Sequence, residues 1–315
     1  MATRIVLVLA AVAALSHSAL AFDDDGTPGL EKAMRSVVSV LPQWSGRPPS
    51  AEEPEGSGVV VADGRLVLTA DHILGNPVSV RIRTIEGDIR PARIFARDSA
   101  TDLALLAVDT PLPVLRFDNE IALGDPVCAL GNAFGLGVSA TCGTVSAVDR
   151  SGTGFNTIED FIQTDAAVNP GMSGGALIDH DGNLVGILSA IFTKRSDANI
   201  GVNFAVSAPL AQIALARLRS STSPSWPALD ARLRPHPPRG ATGRSGAAVV
   251  DVAPGSAADG AGLKAGDVIV EAGGRRVRGP DDVTAALALA AGKAGLALSV
   301  LRSGATVTII VPIGQ

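Results

Sequence analysis

The sequence predicts a mainly β protein that ends in a smaller α+β unit. Three observations carry this. From residue 56 onward, short apolar or alternating runs follow one another, separated by turn signals such as Asp63-Gly64, Glu86-Gly87 and Gly124-Asp125-Pro126. A helical pattern follows at 208–219, where Leu210, Ile213, Ala214 and Leu218 share one face. A stretch rich in Ser, Pro, Arg and Gly over 220–246 then reads as a linker, and strands mixed with a helix follow it.

Arg4, the apolar run 5–15 and the small-x-small Ala19-Leu20-Ala21 make 1–21 a signal peptide cleaved after Ala21. The apolar run is short for a bilayer span, and nothing later is long and apolar enough to be one. Residues 22–55 hold a short helix, a strand-like Ser36-Val37-Val38-Ser39-Val40, and a Pro/Ser/Glu-rich surface loop. Strands are expected at 58–62, 66–69, 78–83, 103–108, 127–130, 142–148, 158–164, 176–178, 184–190 and 202–206, a spacing that suggests a sandwich or barrel. After the linker, 247–315 offers strands at 247–252, 268–271, 296–301 and 306–311. A helix opened by Asp281-Asp282 lies among them, with Val283, Ala286, Leu287 and Ala290 on one face.

Composition sets bounds. The chain has 315 residues, 46% hydrophobic and 3% aromatic with no Tyr, so the core is aliphatic. The net charge of −5, one unit more negative without the leader, and the lack of any basic block exclude a nucleic-acid partner. The two cysteines, Cys128 and Cys142, lie in strand-like runs around a Gly-rich loop. In an exported chain they read either as a hairpin disulfide or as two small buried hydrophobes. No metal-ligand spacing and no cofactor motif is present.

The chemistry centres on Asn169-Pro170-Gly171-Met172-Ser173-Gly174-Gly175. A serine hydroxyl needs a base to become a nucleophile, and its reaction needs backbone donors for the oxyanion. The N–H groups of Gly171 and Ser173 can supply those donors. The competing reading is a glycine-rich turn with an incidental serine. Of the four histidines, His17 lies in the leader, His180 in an Asp-His-Asp-Gly turn and His236 in the Pro-rich linker. His72 ends the apolar strand Leu66-Val67-Leu68-Thr69-Ala70-Asp71, a rigid mount for a base. Asp102 precedes the apolar Leu103-Ala104-Leu105-Leu106, where a carboxylate is partly buried and needs a partner such as an imidazole N–H.

These pieces, in this order, resemble the HtrA (Deg) family of chymotrypsin-fold serine proteases. The resemblance rests on Leu68-Thr69-Ala70-Asp71-His72, Thr101-Asp102-Leu103-Ala104, Leu123-Gly124-Asp125-Pro126, Gly131-Asn132-Ala133-Phe134-Gly135-Leu136-Gly137 and the serine turn. The C-terminal unit resembles a PDZ domain through Val252-Ala253-Pro254-Gly255-Ser256-Ala257-Ala258 and Ala261-Gly262-Leu263-Lys264-Ala265-Gly266-Asp267-Val268-Ile269. The resemblance implies two six-stranded antiparallel β-barrels over 30–207, then a small α+β PDZ-like domain over 247–315. It implies a His72-Asp102-Ser173 triad and ATP-independent cleavage of unfolded polypeptides in the periplasm or outside the cell, often as a homotrimer. Peptide C-termini are the partner it implies for the PDZ-like unit.

Departures from the family pattern refine these expectations. Asp71 puts a second carboxylate beside the base. Met172 replaces a polar residue before the serine, and Ala133 a proline in the Gly-Asn-Pro-Phe-Gly loop. Val168, Leu188 and Asn203 are expected to line the substrate pocket, Leu188 in place of an asparagine and Asn203 in place of a glycine. An apolar wall at Val168 points to small or medium aliphatic P1 residues. The hydrophobic-Gly-hydrophobic loop that captures a carboxylate is not evident over 239–247. The rival reading is a protease-derived chaperone or peptide-binding scaffold.

Overall fold

The computed structural model describes residues 28–46, 56–191, 201–221, 224–238 and 240–314. The expected signal peptide, most of the expected 42–55 loop and the 192–200 segment lie outside these residues. Among them no helix is long and apolar enough to cross a membrane.

A short helix, α1 (Pro28–Met34), leads into a closed antiparallel barrel. Its strands are β1 (Val37–Gln43), β2 (Gly56–Val61), β3 (Leu66–Ala70), β4 (Ser79–Arg83), β5 (Ile89–Asp98) and β6 (Leu103–Ala107), in the order β1-β2-β3-β6-β5-β4. A second closed barrel follows: β7 (Pro126–Gly131), β8 (Ser139–Arg150), β9 (Phe161–Thr164), β10 (Ala176–Ile178), β11 (Leu184–Ile191) and β12 (Asn203–Ser207), ordered β7-β8-β9-β12-β11-β10.

Strand alternation explains why so many strands are apolar on both faces. In β6, Ala104 and Leu106 join Val38, Val60, Val67 and Ile82 inside the first barrel. Leu103 and Leu105 point the other way, into a core shared with Leu130, Phe161, Ile187 and Val206 of the second barrel. Cys128 and Cys142 face each other across β7–β8 and are joined in a disulfide.

Helix α2 (Ala208–Ser220) starts at Ser207, whose hydroxyl accepts from the Leu210 N–H, with Pro209 in its first turn. It packs on β5, β6, β11 and β12, so it seals both barrels. Its buried face is Ala208, Leu210, Ala211, Ala214, Leu215 and Leu218. The expected Ile213 is only half-buried, because the stripe is turned toward Ala211 and Leu215.

The remaining unit is a sheet in the order β13-β14-β15-β17-β18, with β16 paired to β15. Its strands are β13 (Ala231–His236), β14 (Gly246–Val252), β15 (Val268–Ala272), β16 (Arg275–Arg276), β17 (Gly295–Arg302) and β18 (Ala305–Pro312). Two helices, α3 (Ala257–Gly260) and α4 (Pro280–Leu289), complete it. Buried Asp267 accepts two 2.7 Å bonds from Arg302.

Strand β13 corrects the expectation of a linker over 220–246. Ala231 and Leu233 alternate with Arg232 and Arg234 and pack on the C-terminal core, a strand hidden by an Arg/Pro-rich composition. Trp226 is tied down as well, donating to Asp98 at 2.9 Å under the Arg217 guanidinium. The C-terminal sheet unit docks on the second barrel. Arg275 pairs with buried Asp160 and with Asp149, Ser151 donates to Asp282 at 2.7 Å, and α4 meets α2.

Candidate active site

Antiparallel register builds the first half of the site. Ala70 at the end of β3 pairs with Leu103 at the start of β6, and the ladder continues one step as the Asp71 N–H donates to the Asp102 carbonyl at 2.9 Å. That step lays His72 beside Asp102. Asp102 has φ 57°, a left-handed conformation that Asp tolerates better than most residues. One carboxylate oxygen accepts from the His72 backbone N–H at 2.9 Å, and the other meets His72 Nδ1 at 2.7 Å. The carboxylate is 13% exposed and the imidazole 51%. A proton on Nδ1 leaves Nε2 with its lone pair directed away from Asp102.

The Asp102 hydrogen bond holds the His72 pKa above the ordinary imidazole value of 6.5. Burial opposes it, and the charges of Asp102 and Asp71 add to the rise. Asp71 does not stand beside the base as a lone charge. Arg97, on β5, donates to its carboxylate and its carbonyl, and reaches the Gly75 carbonyl at 2.6 Å. The second carboxylate noted in the sequence is thus paired with a partner 26 positions away, and its remaining influence on His72 is the smallest of the raising ones.

The second half of the site is mostly backbone. The turn between β9 and β10 folds on itself through Met172 N–H to the Asn169 carbonyl (3.0 Å) and Gly175 N–H to the Met172 carbonyl (2.9 Å). Gly174 N–H donates to Leu188 on β11 at 2.7 Å. Gly174 has φ +83°, and a Cβ there would lie 2.2 Å from the Ser57 carbonyl. No other residue fits this position without displacing the first barrel. Met172 is fully buried in the second barrel, so its side chain is anchoring and apolar.

Ser173 Oγ donates to the Ser189 carbonyl at 3.3 Å, and among the described residues it makes no hydrogen bond to His72. Ser189 Oγ in turn donates to the Asp102 carboxylate at 3.2 Å. Ser189 therefore links the serine turn to the acid, a role that sequence reasoning missed. The available signal was a lone hydroxyl on an otherwise apolar buried strand. Among the described residues the N–H groups of Gly171 and Ser173 have no protein acceptor. The carbonyls around them are engaged: Pro170 by the Phe134 N–H (2.8 Å) and Gly171 by Ser57 Oγ (2.7 Å).

The expected pocket residues sit deeper than their sequence positions suggest. Val168 is 2% exposed, and Leu188 and Asn203 are 0% exposed. Val168 and Leu188 point into the second-barrel core beside Met172 and Ala205, because Leu188 falls on the inward phase of β11 and Ser189 on the outward one. Asn203 donates to the Ala166 carbonyl at 2.8 Å, so its amide braces the segment leading to Val168. They form a layer behind the surface and do not line it.

Residues 56–187 match the trypsin-like peptidase domain family and 249–302 the PDZ domain family. The chain is 34% identical over 283 residues to a probable periplasmic serine endoprotease, DegP-like, of Chlamydia pneumoniae, covering 87% of this chain and 58% of the relative. It is 30% identical over 309 residues to the periplasmic pH-dependent serine endoprotease DegQ of Escherichia coli, covering 88% and 67%. Among solved structures, an HtrA-type protease, AlgW with tripeptide, superposes with a TM-score of 0.70 at 31% identity, covering 91% of this chain and 95% of that one. The chain spans less than three-fifths of the length of the Chlamydia relative.

Proposed function

Since the chain belongs to the HtrA-type (Deg) family of trypsin-like serine proteases, we propose that it is an ATP-independent serine endopeptidase acting on unfolded polypeptides. The single observation that carries this reading is the His72–Asp102 pair, which the β3–β6 register sets beside the strand residue that also holds the Ser173 hydroxyl. The relatives' periplasmic names and the exported-type N-terminus support a periplasmic location. A homotrimer is proposed on the resemblance alone, and sedimentation equilibrium tests it.

In the proposed reaction, Ser173 leaves the Ser189 carbonyl by rotating about its Cα–Cβ bond. Its Oγ attacks the scissile carbonyl carbon as His72 Nε2 takes the hydroxyl proton. Asp102 keeps the imidazole in the required tautomer and balances the imidazolium. The oxyanion is received by the Gly171 and Ser173 N–H groups, whose lack of a protein acceptor among the described residues supports this assignment. The C–N bond then breaks, and the leaving amine takes the proton from His72. Water repeats the sequence on the acyl-enzyme and restores Ser173.

A pocket backed by Val168, Leu188 and Asn203 suits small or medium aliphatic P1 residues and supplies no carboxylate for Lys or Arg. Mass spectrometry of casein fragments checks this, and cuts mainly after Lys or Arg would overturn it. For the PDZ-like sheet unit, β13 is an edge strand with α4 beside it, a site for strand addition by a peptide C-terminus. Pro235 removes one donor from that edge.

Ser173→Ala is expected to abolish casein degradation and labelling by a fluorophosphonate probe. Full degradation by this variant would end the protease reading. The bond from Ser173 to Ser189 favours a second reading, a peptide-binding scaffold with little proteolysis. An unlabelled wild-type protein that still suppresses aggregation would support it.

A further inference from the structure

Ser57 lies on β2 of the first barrel, fully buried and outside the His72-Asp102-Ser173 set. Each of its polar atoms is bonded. Its N–H donates to the Ser173 carbonyl at 2.9 Å, and its Oγ donates to the Gly171 carbonyl at 2.7 Å. The same Oγ accepts from the Asn132 N–H at 2.8 Å, and its carbonyl accepts from Thr69 Oγ1 at 2.6 Å. Three of these four bonds cross to the second barrel, and all three end at the serine turn or the loop beside it. Thr69, the fourth partner, is on the strand that carries His72.

The planar peptide makes this geometry consequential. Fixing a carbonyl fixes the direction of the N–H on the opposite side of the same peptide. The two candidate oxyanion donors belong to the 170–171 and 172–173 peptides. The peptide between them, 171–172, is the one whose carbonyl Ser57 Oγ holds. Gly171 has φ 95°, in the region where glycine turns with little steric resistance, so bonds must hold this peptide: its Met172 N–H is bonded within the turn to the Asn169 carbonyl at 3.0 Å, and the Ser57 hydroxyl is the group that ties it to the first barrel. A rotation here would swing both neighbouring N–H groups away from a common point.

We propose that Ser57 is a positioning residue for the oxyanion site: its hydroxyl latches the Gly171 carbonyl and so keeps the Gly171 and Ser173 N–H groups convergent. The inference rests on the protease reading above. It concerns transition-state stabilisation, because the ground-state carbonyl of a substrate relies less on these donors than the oxyanion does. Loss of the latch therefore lowers kcat and leaves KM nearly unchanged. Deleting one donor outright costs on the order of 100- to 1000-fold, so loosening both is expected to cost roughly 10- to 100-fold.

The test compares wild type, Ser57→Ala and Ser173→Ala on a fluorogenic peptide taken from a mapped casein cleavage site. Inhibition by the matching peptide boronate, which forms a tetrahedral adduct, and by the matching peptide amide, which does not, is measured alongside. For Ser57→Ala the expectation is a roughly 10- to 100-fold loss in kcat with KM within about twofold. A parallel loss of boronate affinity, unchanged amide affinity and an unshifted pH midpoint for His72 complete the expectation. If Ser57→Ala fails to fold by circular dichroism, Ser57→Cys, which keeps the volume with a weaker donor, is expected to show the same split at smaller size. Wild-type kcat and boronate affinity in a folded Ser57 variant, beside an inactive Ser173→Ala, would overturn this inference alone. Wild-type hydrolysis by Ser173→Ala would take down the protease reading and this inference with it.

Discussion

The two barrels share a strand order but bring unlike material to the cleft. The first contributes side chains: an imidazole and a carboxylate at adjacent strand ends, joined by two bonds of 2.9 and 2.7 Å. The second contributes shaped backbone: a turn whose glycines at 171 and 174 have positive φ and whose amides are aimed by bonds to neighbouring strands. The contrast shows that one topology can serve as a mount for titrating groups or as a former for a loop. The two uses are vulnerable to different substitutions. On the side-chain half, a change of chemistry without a change of shape does the damage. On the backbone half, a single added carbon is enough.

The comparison sharpens first at Asp102. Asp102→Asn keeps the shape and removes the charge. By analogy with the chymotrypsin-type aspartate, turnover is expected to fall on the order of 10,000-fold. The thermal midpoint should stay within a few degrees, and steady-state kinetics with calorimetry would read both. A loss below tenfold would mean that the carboxylate does not orient the base.

Next in size is Gly174→Ala, in which chemistry is untouched and shape is not. The added carbon meets the Ser57 carbonyl at 2.2 Å and Thr69 Oγ1 at 2.5 Å, at φ +83°. A destabilisation of more than about 3 kcal/mol is expected from strain and overpacking together. Gly87→Ala, at φ +93° with open space around it, is the control and should cost only about 1–2 kcal/mol. Equal costs in urea unfolding would break the contrast between the barrels.

The smallest effect is in the pH dependence. In the proposed mechanism His72 works as neutral imidazole, and its pKa is raised, so activity should climb with pH through a midpoint above 6.5. The stability contributed by the charged His72–Asp102 pair runs the other way. It is fully present below 6.5 and fades as the pH rises through the raised value. Asp71→Asn removes the weakest of the raising influences and should move the activity midpoint slightly downward. An upward shift in the kcat/KM profile would contradict this.

The same contrast governs what could be read from residues alone. His72 emerged by elimination among few histidines, and Asp102 by its place before an apolar strand, because rare polar groups in apolar contexts are conspicuous. Glycine spacing announced the turn at 171–175. Ser57 and Ser189 stayed invisible, since a buried serine in a strand looks like any other until the pairing register shows what it faces. Arg97 was hidden in the same way, its partnership with Asp71 being a product of barrel closure. The resemblance put Val168 and Leu188 at the pocket surface; the phase of β11, which turns Leu188 inward, and the burial of Val168 against the second-barrel core show only once the barrel is closed. Strand β13 was masked because arginines on its outer face made an alternating strand look like linker composition.

The left-handed backbone at Asp102 has a consequence for how this site can vary. Such a conformation favours a short alphabet: glycine, asparagine, aspartate and, less often, histidine. Of these letters only one carries a negative charge, so architecture and chemistry select the same residue by independent routes. Glutamate, the other acid available to evolution, is therefore not a near neighbour at this position.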